Sequence, residues 1–167
     1  GGTDHAIEFA GPVVRAMPMG GRLTLCNMAV EFGGRTGMVA PDDITFAHLK
    51  DREFSPKGGA WDDAVRYWRE LASDPDARYD AELEFDCSNL APQVTWGTSP
   101  EHVIGIDDVV PTSPVKSSDA ARASFERALA YADLEPGRPL AGISISGAFI
   151  GSCTNARIDD LRAAAAV

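Results

Sequence analysis

Cysteine is scarce in this 167-residue chain and badly placed for a framework: Cys26, Cys87 and Cys153 stand about 60 residues apart. There is no CxxC and no paired spacing, so neither a disulfide scaffold nor a zinc site can be read from them. Long apolar runs are missing too. None approaches the ~20 residues needed to cross a bilayer, and no signal peptide opens the chain. These two absences set a cytoplasmic protein as the expectation, with no membrane partner. Positive charge is in deficit, with 15 Lys and Arg against 25 Asp and Glu and a net charge of −10. A nucleic-acid backbone is thereby a poor partner, because phosphate contacts need surplus Lys and Arg. An initiating Met is also lacking. The chain opens at Gly1-Gly2-Thr3 and is read as an internal fragment of a longer one.

What remains is an ordinary globular composition, 44% apolar and 24% charged, in a length that suits one domain or two small ones. Residues 4–19 read as two short helices, the first set by Ile7 and Ala10 and the second restarting at Pro12, where proline suits a first helical position. Residues 23–32 predict a helix with Leu25, Met28, Ala29 and Phe32 on one stripe, stopped by Gly33-Gly34. Thr36 to Ala40 predicts a short strand, and Pro41-Asp42-Asp43 a turn opening a helix through Phe46 and Leu49. Residues 60–72 are strongly amphipathic, with Trp61, Ala64, Val65, Trp68, Leu71 and Ala72 on one face. The alternation in Ala81–Cys87 predicts a half-buried strand, and Val94-Thr95-Trp96 a second. Residues 97–116 are rich in turns and read as a linker or covering loop. Ser118-Asp119 caps a helix through Ala121, Phe125, Leu129 and Ala132, closed by Pro136-Gly137. Leu140 to Ile150 predicts a buried strand, and a helix follows from Thr154 or Asn155. Helices alternating with strands make the class α/β.

Two places could carry chemistry. Cys153 lies where the apolar run Ala141–Ile150 gives way to Gly151-Ser152-Cys153-Thr154-Asn155. Beside a helix N-terminus a thiolate is favoured. Three readings stand: a small residue filling a tight corner, a nucleophile, or a metal ligand. The nucleophile has no histidine near it in sequence, since His5, His48 and His102 are all distant. The metal ligand needs partners that the chain does not supply. The second place is Asn27 and Glu31, i and i+4 on the helix of 23–32, which project from the same side one turn apart. They are either a solvated edge, the commoner fate of helical polar residues, or two groups aimed into a site. Cys26 beside them reads as core. Asp42-Asp43, Asp62-Asp63 and Asp107-Asp108 border helices or turns, where Asp is expected for capping. Trp61, Trp68 and Phe125 read as core rather than as a cofactor box.

Four stretches taken together resemble the aconitase superfamily. They are Gly2-Thr3 through Glu8 with Gly11; Thr24-Leu25-Cys26-Asn27-Met28 through Glu31; residues 91–98, APQVTWGT; and residues 150–162, IGSCTNARIDDLR. Within it, PQVTWGTSP at 92–100 and SCTNARIDDLR resemble the large subunit of 3-isopropylmalate dehydratase, the isomerase of leucine biosynthesis. Homoaconitase and citramalate-type enzymes share much of the pattern. Asp4-His5 departs from the small or aromatic residues more usual in the family, and nothing is drawn from it.

The resemblance implies a [4Fe–4S] cluster with Cys153 as one of its three cysteine ligands, the other two in a CxxC further along the family's chain. It implies that Asn27 and Glu31 line the active site. Glu31 would orient a catalytic histidine that precedes Gly1, and Asn155 would lie near the cluster, with a plain helix cap as its competing reading. The implied substrate is a small hydroxy-diacid. The implied partner is the small subunit of isopropylmalate dehydratase, which carries the serine base. The implied fold is a three-layer α/β/α aconitase-type domain, present in part. Residues 1–115 would be most of the family's second domain, 116–137 a connecting helix, and 138–167 the start of the third. A fragment of this kind is expected to be inactive by itself. Two other readings remain: a non-catalytic binding or scaffold domain that keeps the fold, and a cysteine-nucleophile enzyme.

Overall fold

The structure, a computed structural model, describes residues 2–167. It is mixed α/β, with helices and two small sheets. The chain divides into two compact units. One comprises Gly1–Glu84 with Phe149–Val167, the other Phe85–Ala148.

The first unit is built on a parallel pair, β1 (Ala6–Glu8) and β2 (Thr36–Met38), in register Ala6↔Thr36, Ile7↔Gly37 and Glu8↔Met38. A parallel pair needs a crossover. Here α1 (Pro12–Ala16) and α2 (Met19–Met28) supply it. Residues 6–8 are thus a strand where the apolar spacing predicts a helix. Three residues are too few to show a period, and pairing with β2 decides the conformation. The restart at Pro12 holds, with Gly11 at φ 98 as the N-cap.

Helix α2 sits close on β2 because Gly37 has no side chain. A Cβ there would lie 2.8 Å from Cys26 Cα and 3.0 Å from the Cys26 carbonyl oxygen. Regular helix ends at Met28, four residues before the predicted end. The stop itself falls as expected at Gly33-Gly34. Gly33 N–H donates to Val30 O (2.9 Å) and Gly34 N–H to Ala29 O (2.8 Å), with Gly33 at φ 96. This is the paired closure of a Schellman motif, which requires a left-handed residue at that point. Of the predicted stripe, Ala29 is buried and Leu25 half-buried, while Met28 and Phe32 are exposed.

Helix α3 (Asp43–Leu49) begins where Asp42 accepts the Ile44 and Thr45 amides. Helix α4 (Gly59–Arg69) is the amphipathic segment. Trp68 stacks on Phe46 at 6.0 Å and meets Trp61 edge-on at 5.7 Å, so these aromatics join α3 to α4.

The second unit pairs β3 (Gln93–Thr95) with β4 (Val103–Gly105) in an antiparallel hairpin. Its core is Trp96, Val110, Phe125, Ala128 and Leu129, with Ile104, Leu134 and Leu140 partly buried around it. Phe125 and the last two core residues come from α5 (Asp119–Ala132), capped by Ser118 as its sequence predicts. The stretch 97–116 is therefore more than a covering loop, since it contributes β4, Val110 and the buried His102. His102 stacks on Trp96 at 4.6 Å and accepts the Ser99 amide at Nδ1.

Two predicted strands do not form. Ala81–Cys87 is irregular, with Leu83 and Phe85 exposed, and an Asx turn from Asp86 to the Ser88 amide ends it. Leu140 to Ile150 is likewise irregular, with Ile145 74% and Phe149 91% exposed. Both stretches have strand-like patterns, but among the described residues neither has a neighbouring strand to accept its ladder of hydrogen bonds. Helix α6 (Ile158–Ala164) starts three to four residues later than predicted.

Candidate functional site

The late start of α6 shapes the loop before it. Ser152 Oγ accepts the amides of Thr154 (3.1 Å) and Asn155 (3.3 Å), an ST-type turn. Asp160 Oδ2 accepts the amides of Ala156 (3.2 Å) and Arg157 (2.8 Å). Ala156 at φ 88 and Arg157 in an extended conformation (ψ 165) lie outside helical geometry, so the chain enters the helix only at Ile158. Cys153 therefore stands five residues ahead of the helix, and the helix-dipole argument drawn from adjacency does not hold. Its thiol is exposed rather than filling a corner. Its one polar neighbour among the described residues is Thr154 Oγ1 at 3.9 Å.

This loop is tied to α2. Thr24 Oγ1 lies 2.5 Å from Asn155 Oδ1, across 131 residues of sequence. Arg157 Nη1 donates to both, to Asn155 Oδ1 at 3.0 Å and to Thr24 Oγ1 at 3.2 Å. The guanidinium can only donate, so Asn155 must present its oxygen to it, which settles the orientation of the amide. Thr24 stands one helical turn before Asn27 on the same helix, so the loop of Cys153 and Asn155 is docked beside the helix that carries Asn27. Asn27 is exposed in the last regular turn. Glu31 is also exposed, in the irregular turn that follows, its amide donating to Met28 O at 3.1 Å. Its carboxylate has no hydrogen-bond or ion-pair partner among the described residues. Cys26, half-buried against β2, has its thiol pKa raised by burial.

A second polar centre has no warning in the local sequence. Arg22 on α2 is 2% exposed and grips Asp42 with two bonds, Nη1–Oδ1 at 2.7 Å and Nη2–Oδ2 at 2.8 Å. Its other bonds go to Arg15 O, Met17 O and Thr45 Oγ1. The Arg22 hydrogen bond holds the Asp42 carboxyl below the usual range, helped by the amides of Thr45 and Ile44 and opposed by burial. This pair borders a cavity of about 210 Å³ at the carboxyl ends of β1 and β2, with Glu8 on its rim. Every N–H direction of Arg22 is already used within the chain, so the pair is architectural.

The site is thus a polar junction of helix and loop in a mixed α/β protein, with an exposed free thiol on the loop. The family model of aconitase (aconitate hydratase) matches residues 1–167, and the chain belongs to the aconitase family. Its members are hydro-lyases that generally bind a [4Fe–4S] cluster. Cys153 has the right donor chemistry for one ligand: a free thiol on a loop whose amides are already capped. Among the described residues no group of three or more His, Cys, Asp or Glu gathers to hold a metal. Among the described residues no helix is long and apolar enough to cross a membrane.

Proposed function

We propose that the chain is part of the large subunit of 3-isopropylmalate dehydratase, which interconverts 2- and 3-isopropylmalate by removing and re-adding water in leucine biosynthesis. Family membership supports the hydro-lyase chemistry, and PQVTWGTSP and SCTNARIDDLR support the particular substrate. The observation that carries the reading is the Thr24–Asn155–Arg157 junction. It brings two of the family-resembling motifs, 131 residues apart in sequence, into direct contact.

In this reading Cys153 is one cluster ligand and Asn155 lies beside the cluster. The cluster, when bound, supplies a Lewis-acidic iron that eases loss of hydroxide from carbon. The Asn27 amide offers donors and an acceptor to a substrate carboxylate or hydroxyl. Glu31, an unpaired carboxylate, holds a histidine in one tautomer and stabilises its protonated form. The small subunit brings the base for the carbon-bound proton. The framework around the junction belongs to a three-layer α/β/α domain.

The test is the assembled enzyme, large and small subunits with iron content verified, offered 2-isopropylmalate, citrate, homocitrate and citramalate in parallel. The expected result is the highest kcat/KM for 2-isopropylmalate. Preference for another diacid would keep the family and overturn this substrate. No turnover of any of them by a cluster-loaded preparation would favour a scaffold domain that keeps the fold.

A further inference from the structure

The loop 152–157 is shaped by its own side chains, but shape does not fix it in place. Among the described residues its hydrogen bonds to the chain outside residues 152–161 run to one residue, Thr24. Three groups close a ring there. Arg157 Nη1 donates to Asn155 Oδ1 and Thr24 Oγ1, and those two oxygens lie 2.5 Å apart. The Thr24 hydroxyl has one proton and two acceptors in reach, Asn155 Oδ1 and Gly20 O at 3.0 Å. The guanidinium donates whichever acceptor that proton takes, so the cation is the constant member of the ring. The Arg157 stem runs over Gly20, where a Cβ would lie 3.7 Å from its Cδ. A lysine has no fixed fork and would hold this geometry less well.

We propose that Arg157 is a positioning residue of the hydro-lyase site: through Thr24 and Asn155 it pins the Cys153 loop to α2 and so sets that loop's register against Asn27. The role of the register in turnover rests on the function proposed above. The pinning itself does not. Arg157 touches no reacting atom in this role, and its effect passes through the two oxygens it holds.

Four variants of the assembled, iron-matched enzyme test it: Thr24→Val, Thr24→Ser, Arg157→Met and the Thr24→Val/Arg157→Met double. Amide hydrogen exchange of residues 154–157 is read beside kcat and KM. Loss of a charge-assisted hydrogen bond should raise loop exchange by roughly tenfold. A similar fall in kcat should accompany it, with KM changed less. Thr24→Ser keeps the hydroxyl and should behave like the wild type, whereas Thr24→Val, of nearly the same shape, should not. The double variant should be no worse than the worse single, because both remove one contact. Unchanged loop exchange in Thr24→Val and Arg157→Met would overturn the proposal. So would additive losses in the double, or a Thr24→Ser as impaired as Thr24→Val. If Arg157→Met does not fold, the Val/Ser comparison at Thr24 decides alone. A wild-type enzyme with no hydro-lyase turnover would overturn the proposed function, and the exchange data would still judge the clamp.

Discussion

Arg22→Met removes a charge while keeping most of the bulk of the side chain, and the structure says what should follow. The arginine side chain is 3% exposed and that of its partner Asp42 is 36% exposed. Breaking a buried ion pair costs about 3–5 kcal/mol, mainly because one charge is left without a partner. Here the charge left is Asp42, which reaches water and keeps its amide bonds from Ile44 and Thr45. That places the cost near the lower end, about 3 kcal/mol. The carbonyls of Arg15 and Met17 also lose a donor, which raises the figure by up to about 1 kcal/mol after overlap. Urea unfolding should therefore show a destabilisation of about 3–4 kcal/mol at neutral pH with little change in slope. Acid supplies an independent check. Asp42 has its carboxyl depressed in the fold, so its contribution is complete above the ordinary Asp value of about 3.9 and is lost as pH falls through the lower folded value. The gap between wild type and Arg22→Met should be constant from neutral pH down to about 5 and should narrow below about 4. A loss under about 1 kcal/mol, or a gap indifferent to acid, would refute this reasoning.

Glu31→Gln in the assembled enzyme should lower turnover by about a hundred- to ten-thousand-fold, the span of general acid–base contributions. Its exposed carboxylate has no partner among the described residues, so stability should stay within about 0.5 kcal/mol; parallel turnover and melting measurements read both. Gly37→Ala should destabilise by about 1–3 kcal/mol, because the new Cβ would meet the Cys26 backbone at 2.8 Å and α2 must move off β2. Thermal melting checks it, and an unchanged melting temperature would show that the helix has room to shift.

The elements legible in the sequence are those whose ends and faces are declared locally. Asp42 and Ser118 announce α3 and α5 by capping, Gly33-Gly34 announces the close of the α2 turn, and the tryptophans of α4 mark its half-buried face. Strands were harder to read because a strand is half of a pair. Residues 6–8 pair without a readable pattern, whereas 81–87 and 140–150 have the pattern and no partner. The start of α6 is displaced for a different reason: Ala156 takes a left-handed φ of 88 and Arg157 is extended, a backbone turn that the residue types there do not announce. Of the site, the four candidate residues could be named from motif and resemblance. The junction that docks Asn155 could not, since Thr24 and Arg157 are 133 residues apart and neither is unusual in its own neighbourhood. Arg22 was invisible for the same reason; only the fold brings it to Asp42, 20 residues on.

Cys153→Ser in the assembled enzyme tests most directly whether this loop serves a cluster-dependent hydro-lyase. Iron per protein, visible absorption and isopropylmalate turnover are measured on the same anaerobic preparation, beside thermal melting of the metal-free protein. Replacing a ligand thiolate with a hydroxyl weakens soft-metal binding. Cys153 is exposed and unpacked, so the fold has little to lose by the change. The account predicts that iron, absorption and turnover fall together while the metal-free melting temperature holds. A serine variant that keeps full iron and full turnover would contradict it.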